Sequence, residues 1–187
     1  AATCELIYQL AECTIGSQFV DTDAATCLYT GLVTDTGSFR FDSTTSDVHR
    51  IAGELINKGI RNSIVHRKLF DTNTFDRMRF LGFALHEKLV YLPDYRVAYF
   101  SFTKDELERF NSKNGDTEGI VNYGLSINGV VMSAIFVERD DLIKISFRSV
   151  DDFSVSELSR NHFDGGGHKN AAGGRSYESL QHTVERF

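Results

Sequence analysis

At 187 residues, with 41% hydrophobic and 25% charged side chains, the chain is ordinary for a globular protein and long enough for one large domain or two small ones. A formal net charge of −6 argues against a protein that coats long nucleic acid, yet leaves room for a short phosphate-bearing ligand in a focused pocket. No run of about 18 apolar residues exists, so no membrane span is expected, and Cys4, Cys13 and Cys27, which lack CxxC spacing, read as reduced, buried thiols of a cytoplasmic protein.

Leu6, Ile7 and Leu10, with Tyr8 and Ala11 alongside, predict a helix over 2–12 with Thr3 as its cap. After Gly16, Asp23 is the expected cap of a second helix that carries Ala24, Ala25, Leu28, Tyr29 and Leu32 on one face and runs into Thr34-Asp35-Thr36-Gly37. Ser46 or Asp47 is expected to cap a third, with Val48, Ile51, Ala52, Leu55 and Ile56 inward and Gly59 as its stop. Residues 61–70 and 75–89 read as helices; the stripe of the latter is Met78, Leu81, Gly82, Leu85 and Leu89, and its length suits a link between domains. Tyr91 to Asp94 read as a turn around the one proline.

Beyond Pro93 the texture changes. Residues 96–102, 130–138 and 142–148 have the alternation of strands, the last two joined by a tight turn at Arg139-Asp140-Asp141. Residues 104–110, 118–125, 155–162 and 177–187 read as helices. The expected fold class is α/β: an α-rich first part over 1–70, a linker helix within 71–94, and a smaller mixed α/β sheet domain over 95–187.

The chemistry concentrates in Gly165-Gly166-Gly167-His168-Lys169-Asn170-Ala171-Ala172-Gly173-Gly174-Arg175. Consecutive glycines are retained where a loop needs unusual backbone angles or a ligand must approach the main chain. Lys169 to Ala172 are expected to open a helix whose free N–H groups, with His168, Lys169 and Arg175, would cradle a phosphate; a glycine-rich surface turn is the plainer alternative. Arg148, at a strand end in Ser146-Phe147-Arg148-Ser149, either grips a phosphate or is solvated at a sheet margin. Asn122-Tyr123-Gly124 offers an amide and a ring to a nucleobase, or simply packs. Asp35 either reaches a metal from its helix end or stabilises its own turn.

Taken together, these segments resemble the DHH phosphoesterase family, in the branch of nanoRNases and pAp phosphatases, over nearly the whole chain. Thr3 to Tyr8 is similar to the helix that follows the family's Asp-His-His motif, and Thr30 to Phe39 to its later metal-binding aspartate motif. Glu118 to Tyr123, Phe147-Arg148-Ser149 and Gly165 to Gly173 resemble successive signatures of the DHH-associated substrate-binding domain. The resemblance implies a hydrolase that trims very short RNAs or dephosphorylates 3′-phosphoadenosine 5′-phosphate through two divalent ions, usually manganese. It implies Asp35 as a metal ligand, and Arg148, Gly165, Gly166, Gly167 and His168 as substrate-binding residues, with Ser149 and Asn122 as further contacts. The first part is then a mostly helical remnant of the DHH catalytic domain.

The sequence contains no Asp-His dipeptide, so the family's other metal motifs are missing. The expectation is therefore the C-terminal portion of a longer enzyme, inactive alone, with its first-half apolar stripes left for a missing sheet or a homodimer partner. A non-catalytic module that binds nucleotides or short RNA is the rival reading; a polyphosphate- or pyrophosphate-cleaving relative fits the glycine-histidine stretch less well.

Overall fold

A computed structural model describes residues 2–41 and 43–187. The chain separates into two compact units, divided between Thr72 and Asn73. No helix among the described residues is long and apolar enough to cross a membrane.

The first unit is helical: α1 (Thr3–Thr14), a 3-10 turn (Ser17–Phe19), α2 (Thr22–Asp35), α3 (Ser46–Asn57) and α4 (Asn62–Phe70). Its core joins Tyr8 of α1 to Ala25, Tyr29, Leu32 and Val33 of α2, Val48, Ile51 and Leu55 of α3, and Val65 of α4. The helix starts lie a residue or two from those expected. The Asp21 carboxylate accepts from Ala24 N at 2.8 Å, so the cap of α2 is Asp21 rather than Asp23. Thr45 accepts from Val48 N and caps α3 in place of Ser46 or Asp47. In both cases the cap is the last residue with extended backbone, the geometry that lets a side-chain oxygen meet an N–H three residues on.

The first helix turns a different side inward from the expected one. Glu5 and Tyr8 are buried and Cys4 and Ala11 pack on the core, while Leu6, Ile7 and Leu10 are exposed. The close crossing of α1 over α2 decides this: a Cβ at Gly31 would lie 2.1 Å from Cys4 Sγ. Tyr8 donates to Glu54 Oε2 at 2.8 Å; burial, then this bond, push its phenol up to about 12, and the same bond holds the Glu54 carboxyl below its ordinary range. Of the cysteines, only Cys4 is half-buried; Cys13 and Cys27 are exposed, against expectation.

The second unit holds α5 (Phe75–Phe83), which continues as a π-helical turn (Ala84–Lys88), and a mixed sheet with helices on both faces. Its strands are β1 (Val90–Leu92), β2 (Val97–Phe102), β3 (Met132–Glu138), β4 (Ile143–Ser149), β5 (Gly166–His168) and β6 (Ala171–Ser176); its other helices are α6 (Lys104–Arg109), α7 (Ile120–Leu125), α8 (Val155–His162) and α9 (Leu180–Arg186). The six strands run in the order β1-β2-β3-β4-β6-β5, with β2 and β3 parallel and every other pair antiparallel. Strand β1, only three residues long and followed by Pro93, falls where the sequence suggested a turn.

Aromatic rings fill the core on one face. Phe80 is fully buried, its ring centroid 4.9 Å from Phe102 and 5.8 Å from Phe110, and Phe83 stacks on Phe110 at 4.8 Å. The inward side of α5 is thus Phe80 and Phe83, whereas Met78 and Leu85 of the expected stripe are exposed. Phe80→Ala is expected to cost about 3–5 kcal/mol, because three neighbouring rings cannot collapse into the space left. Denaturant unfolding followed by near-ultraviolet circular dichroism would measure it.

Candidate functional site

Side chains alternate across a strand, and residues paired in register share a face. The register therefore defines rows. Ala98, Ser133, Arg148, Ala171 and His168 form one across β2, β3, β4, β6 and β5. Phe100, Ile135, Ser146, Gly173 and Gly166 form the next, and Phe102, Val137, Lys144 and Arg175 the third. Over β2 and β3 this face is sealed by Phe80, Phe83, Ile120 and Val121. Over β4, β6 and β5 it is open: Lys144, Gly173, Arg175 and His168 are exposed, and Ser146, Arg148, Ala171 and Gly166 are half-buried. The reverse face packs on α8 and α9 through Val155, Phe163, Val184 and Phe187.

The glycine stretch is a β-hairpin, not the start of a helix. His168 pairs with Ala171 across a two-residue turn, Lys169-Asn170, so the expected ring of free helix N–H groups does not form. The turn is tied down from several sides. Val155 N donates to Lys169 O at 2.8 Å, Ser149 N to Asn170 O at 3.1 Å, and Asn170 Nδ2 to Ser149 Oγ at 3.0 Å. From α8, Ser156 Oγ donates to Gly167 O at 2.8 Å and Ser159 Oγ to Gly173 O at 2.5 Å. Neither serine was singled out from sequence; their i, i+3 spacing on a helix just before the glycines is the signal that would have found them.

The glycines divide by what a side chain would meet. A Cβ at Gly165 would lie 2.0 Å from Gly173 O and 2.6 Å from Gly174 Cα. At Gly167, with φ +148, it would lie 2.6 Å from Ala171 O. Both are glycines because the chain's own backbone occupies the space. A Cβ at Gly166 meets nothing within 4 Å, and one at Gly173 only Ile145 O at 3.6 Å. Those two, adjacent across the hairpin, leave a bare floor on the open face, which is where another backbone or a ligand can lie close.

Arg148 stands at the edge of that floor. It is half-buried, Nη1 donates to Phe147 O at 2.9 Å, and none of the ion pairs among the described residues includes it. Burial lowers its pKa from the usual guanidinium value, the signature of a cation stripped of water without a counter-ion. The two cations of the hairpin itself have partners: Lys169 Nζ lies 2.6 Å from Asp152, and Arg175 Nε 2.8 Å from Asp164. His168 sits two strands from Arg148, about 10 Å across Ala171. A desolvated guanidinium, an imidazole and a flat glycine floor together suit a terminal phosphate with its sugar laid against the main chain.

The remaining expected residues fall elsewhere. Ser149 is buried on the reverse face; its hydroxyl donates to Phe153 O at 2.6 Å and accepts from Asn170, so it anchors the hairpin rather than facing a ligand. Alternation along β4 sends neighbours Arg148 and Ser149 to opposite sides. Asn122 is exposed on α7, which packs on β2, β3 and β4; Gly124 permits this, since a Cβ there would lie 2.3 Å from Ser133 Oγ.

Asp35 is exposed at the last residue of α2 in the first unit. Just beyond it, Thr36 is fully buried, its Oγ1 donating to Leu32 O at 2.6 Å and accepting from Phe39 N at 3.0 Å. Burial, then the charge of Asp35, raise the Cys4 thiol pKa. No group of three or more His, Cys, Asp or Glu gathers among the described residues, so these residues alone do not fit a two-ion centre.

Residues 94–187 match the DHHA1 domain family. The chain is 33% identical, over 84% of its length and 49% of the relative's, to a bifunctional oligoribonuclease and PAP phosphatase of Bacillus subtilis. It is 29% identical to a protein of the same name from Thermus thermophilus, over 92% of this chain and 50% of the relative. Among solved structures, an exopolyphosphatase-related protein from Bacteroides fragilis superposes with a TM-score of 0.94 at 38% identity, over 99% of this chain and 54% of that one. The chain thus spans about half the length of the curated relatives it matches. With the sheet, the hairpin and these matches in agreement, the chain belongs to the DHH family of phosphoesterases, through a DHHA1 domain over residues 94–187.

Proposed function

We propose that the protein is a phosphoesterase of short oligoribonucleotides and of 3′-phosphoadenosine 5′-phosphate, and that this chain supplies the face that grips the substrate's phosphate end. The observation that carries the reading is Arg148: a half-buried guanidinium with no counter-ion among the described residues, in one row with His168, beside the bare floor of Gly166 and Gly173. The names of the relatives support the substrate class. Within this reading Arg148 binds a terminal phosphate bidentately, His168 donates a further hydrogen bond, and the two open glycines let the sugar approach the sheet. Gly165, Gly167 and Ser149 hold the hairpin in shape.

Asp35 is the one residue of this chain proposed for a divalent-metal centre, with manganese as the expected ion. A single carboxylate cannot hold two ions, so further ligands must come from beyond these residues, and the chain alone is expected to bind substrate without hydrolysing it. The purified chain would be titrated with 3′-phosphoadenosine 5′-phosphate and a 5′-phosphorylated dinucleotide, then incubated with each and manganese. Binding without phosphate or mononucleotide release is the expected result. Robust manganese-dependent hydrolysis would overturn the division of labour; absence of binding would overturn the phosphate face.

A further inference from the structure

The third row of the open face holds two cations that the phosphate grip does not use. Lys144 on β4 and Arg175 on β6 are direct cross-strand partners. Like charges placed opposite one another destabilise a sheet, and here the chain offsets them only in part. Asp164 takes Nε of Arg175 at 2.8 Å, while no ion pair among the described residues involves Lys144. Two positive charges thus stand against one carboxylate, on a protein whose net charge is −6.

Their position relative to Arg148 is set by the strand. Arg148, Ser146 and Lys144 follow one another at every second residue on the same face of β4. Arg148 and Lys144 are therefore four residues apart, about 13 Å along the strand. The row between them on these three strands is Ser146, Gly173 and Gly166, so the sheet itself places no side chain larger than serine between one cationic row and the other. One phosphate cannot occupy both ends. The two phosphates of a nucleoside 3′,5′-bisphosphate, separated by a single ribose, fall short of the span, whereas a chain of several nucleotides reaches across it.

We propose that Lys144 and Arg175 form a second anion subsite, so that this half-sheet measures its ligand: the terminal phosphate of an oligonucleotide sits at Arg148 and His168, and a backbone phosphate further along sits at Lys144 and Arg175. The inference rests on the phosphate reading of Arg148 and adds to it a means by which one face separates oligonucleotides from nucleoside bisphosphates.

The experiment uses the 187-residue chain and three ligands: adenosine 5′-monophosphate, 3′-phosphoadenosine 5′-phosphate and a 5′-phosphorylated triadenylate. Lys144→Gln, at an exposed strand position, is expected to raise the Kd of the triadenylate about tenfold and to leave the two mononucleotides within about twofold. The slope of log affinity against log salt should also fall by about 0.7 for the triadenylate alone, the loss of one single-strand phosphate contact. An unchanged triadenylate affinity, or an equal loss for all three ligands, would overturn the second subsite. Arg148→Ala serves as the companion variant and should weaken all three ligands. If it weakens none, the phosphate reading itself fails, an outcome separable from a failure confined to Lys144.

Discussion

Arg148→Ala is expected to weaken binding of 3′-phosphoadenosine 5′-phosphate and of a 5′-phosphorylated dinucleotide by on the order of a hundredfold, with little change in the unfolding midpoint. The two halves of this expectation have the same origin. A charge-assisted, two-pronged contact to phosphate in a half-dry setting is worth about 1.5–3 kcal/mol. The same guanidinium makes no ion pair among the described residues and gives one N–H to the neighbouring Phe147 carbonyl, so its removal leaves no partner charge buried there. Arg148→Lys should recover only part of the affinity, because an ammonium cannot engage two phosphate oxygens in the planar fork of a guanidinium. Isothermal titration on folded variants measures both constants. Wild-type affinity in Arg148→Ala would remove the residue from the site.

The second large effect contrasts two adjacent glycines. Gly165→Ala is expected to destabilise the second unit by about 1–3 kcal/mol or more, because its methyl would press on Gly173 O, Ser159 Oγ and Gly174 Cα at 2.0, 2.3 and 2.6 Å. None of these is the free end of a long side chain, so relief requires moving the strand. Gly166→Ala, one residue on, meets nothing within 4 Å and is expected to leave stability unchanged or raise it by a few tenths of a kcal/mol, through a less flexible unfolded chain. Its methyl would instead stand on the floor beside Gly173 and weaken nucleotide binding about tenfold, as a steric obstacle in a close-contact site. Denaturant midpoints and titrations on both variants test the pair. Weak binding by Gly166→Ala together with a lowered midpoint would mean that Gly166 serves the fold and not the ligand.

Much of this architecture was legible in the residues. The alternation in 130–138 and 142–148 located β3 and β4 to within two residues, and the tight turn between them followed from their spacing. The helical periods of α2, α3 and α8 were equally clear. Misreadings came where local preference and tertiary demand diverge. Leu6, Ile7 and Leu10 form an apolar side of α1, yet the crossing at Gly31 turns Cys4, Glu5 and Tyr8 inward instead. Strand β1 is too short to show a period. Lys169 to Ala172 has helix-compatible residues, but pairing with β5 and β4 claims its backbone, and a sheet partner distant in sequence outweighs a weak local propensity.

The candidate site shows the same division more sharply. The sequence by itself determined the inventory: an arginine near a strand end, a histidine after three glycines, an aspartate at a helix end, and the order of motifs that marks the family. Only the tertiary structure decided which of these lie side by side. Register placed Arg148 and His168 in one row and turned Ser149 to the reverse face, because direction alternates residue by residue and a partner strand must be known before two directions can be compared. Packing separated Gly165 and Gly167, whose space is filled by backbone, from Gly166 and Gly173, whose space is open. In the sequence all four are the same residue; what distinguishes them is the atoms of other strands and of α8, brought there by folding.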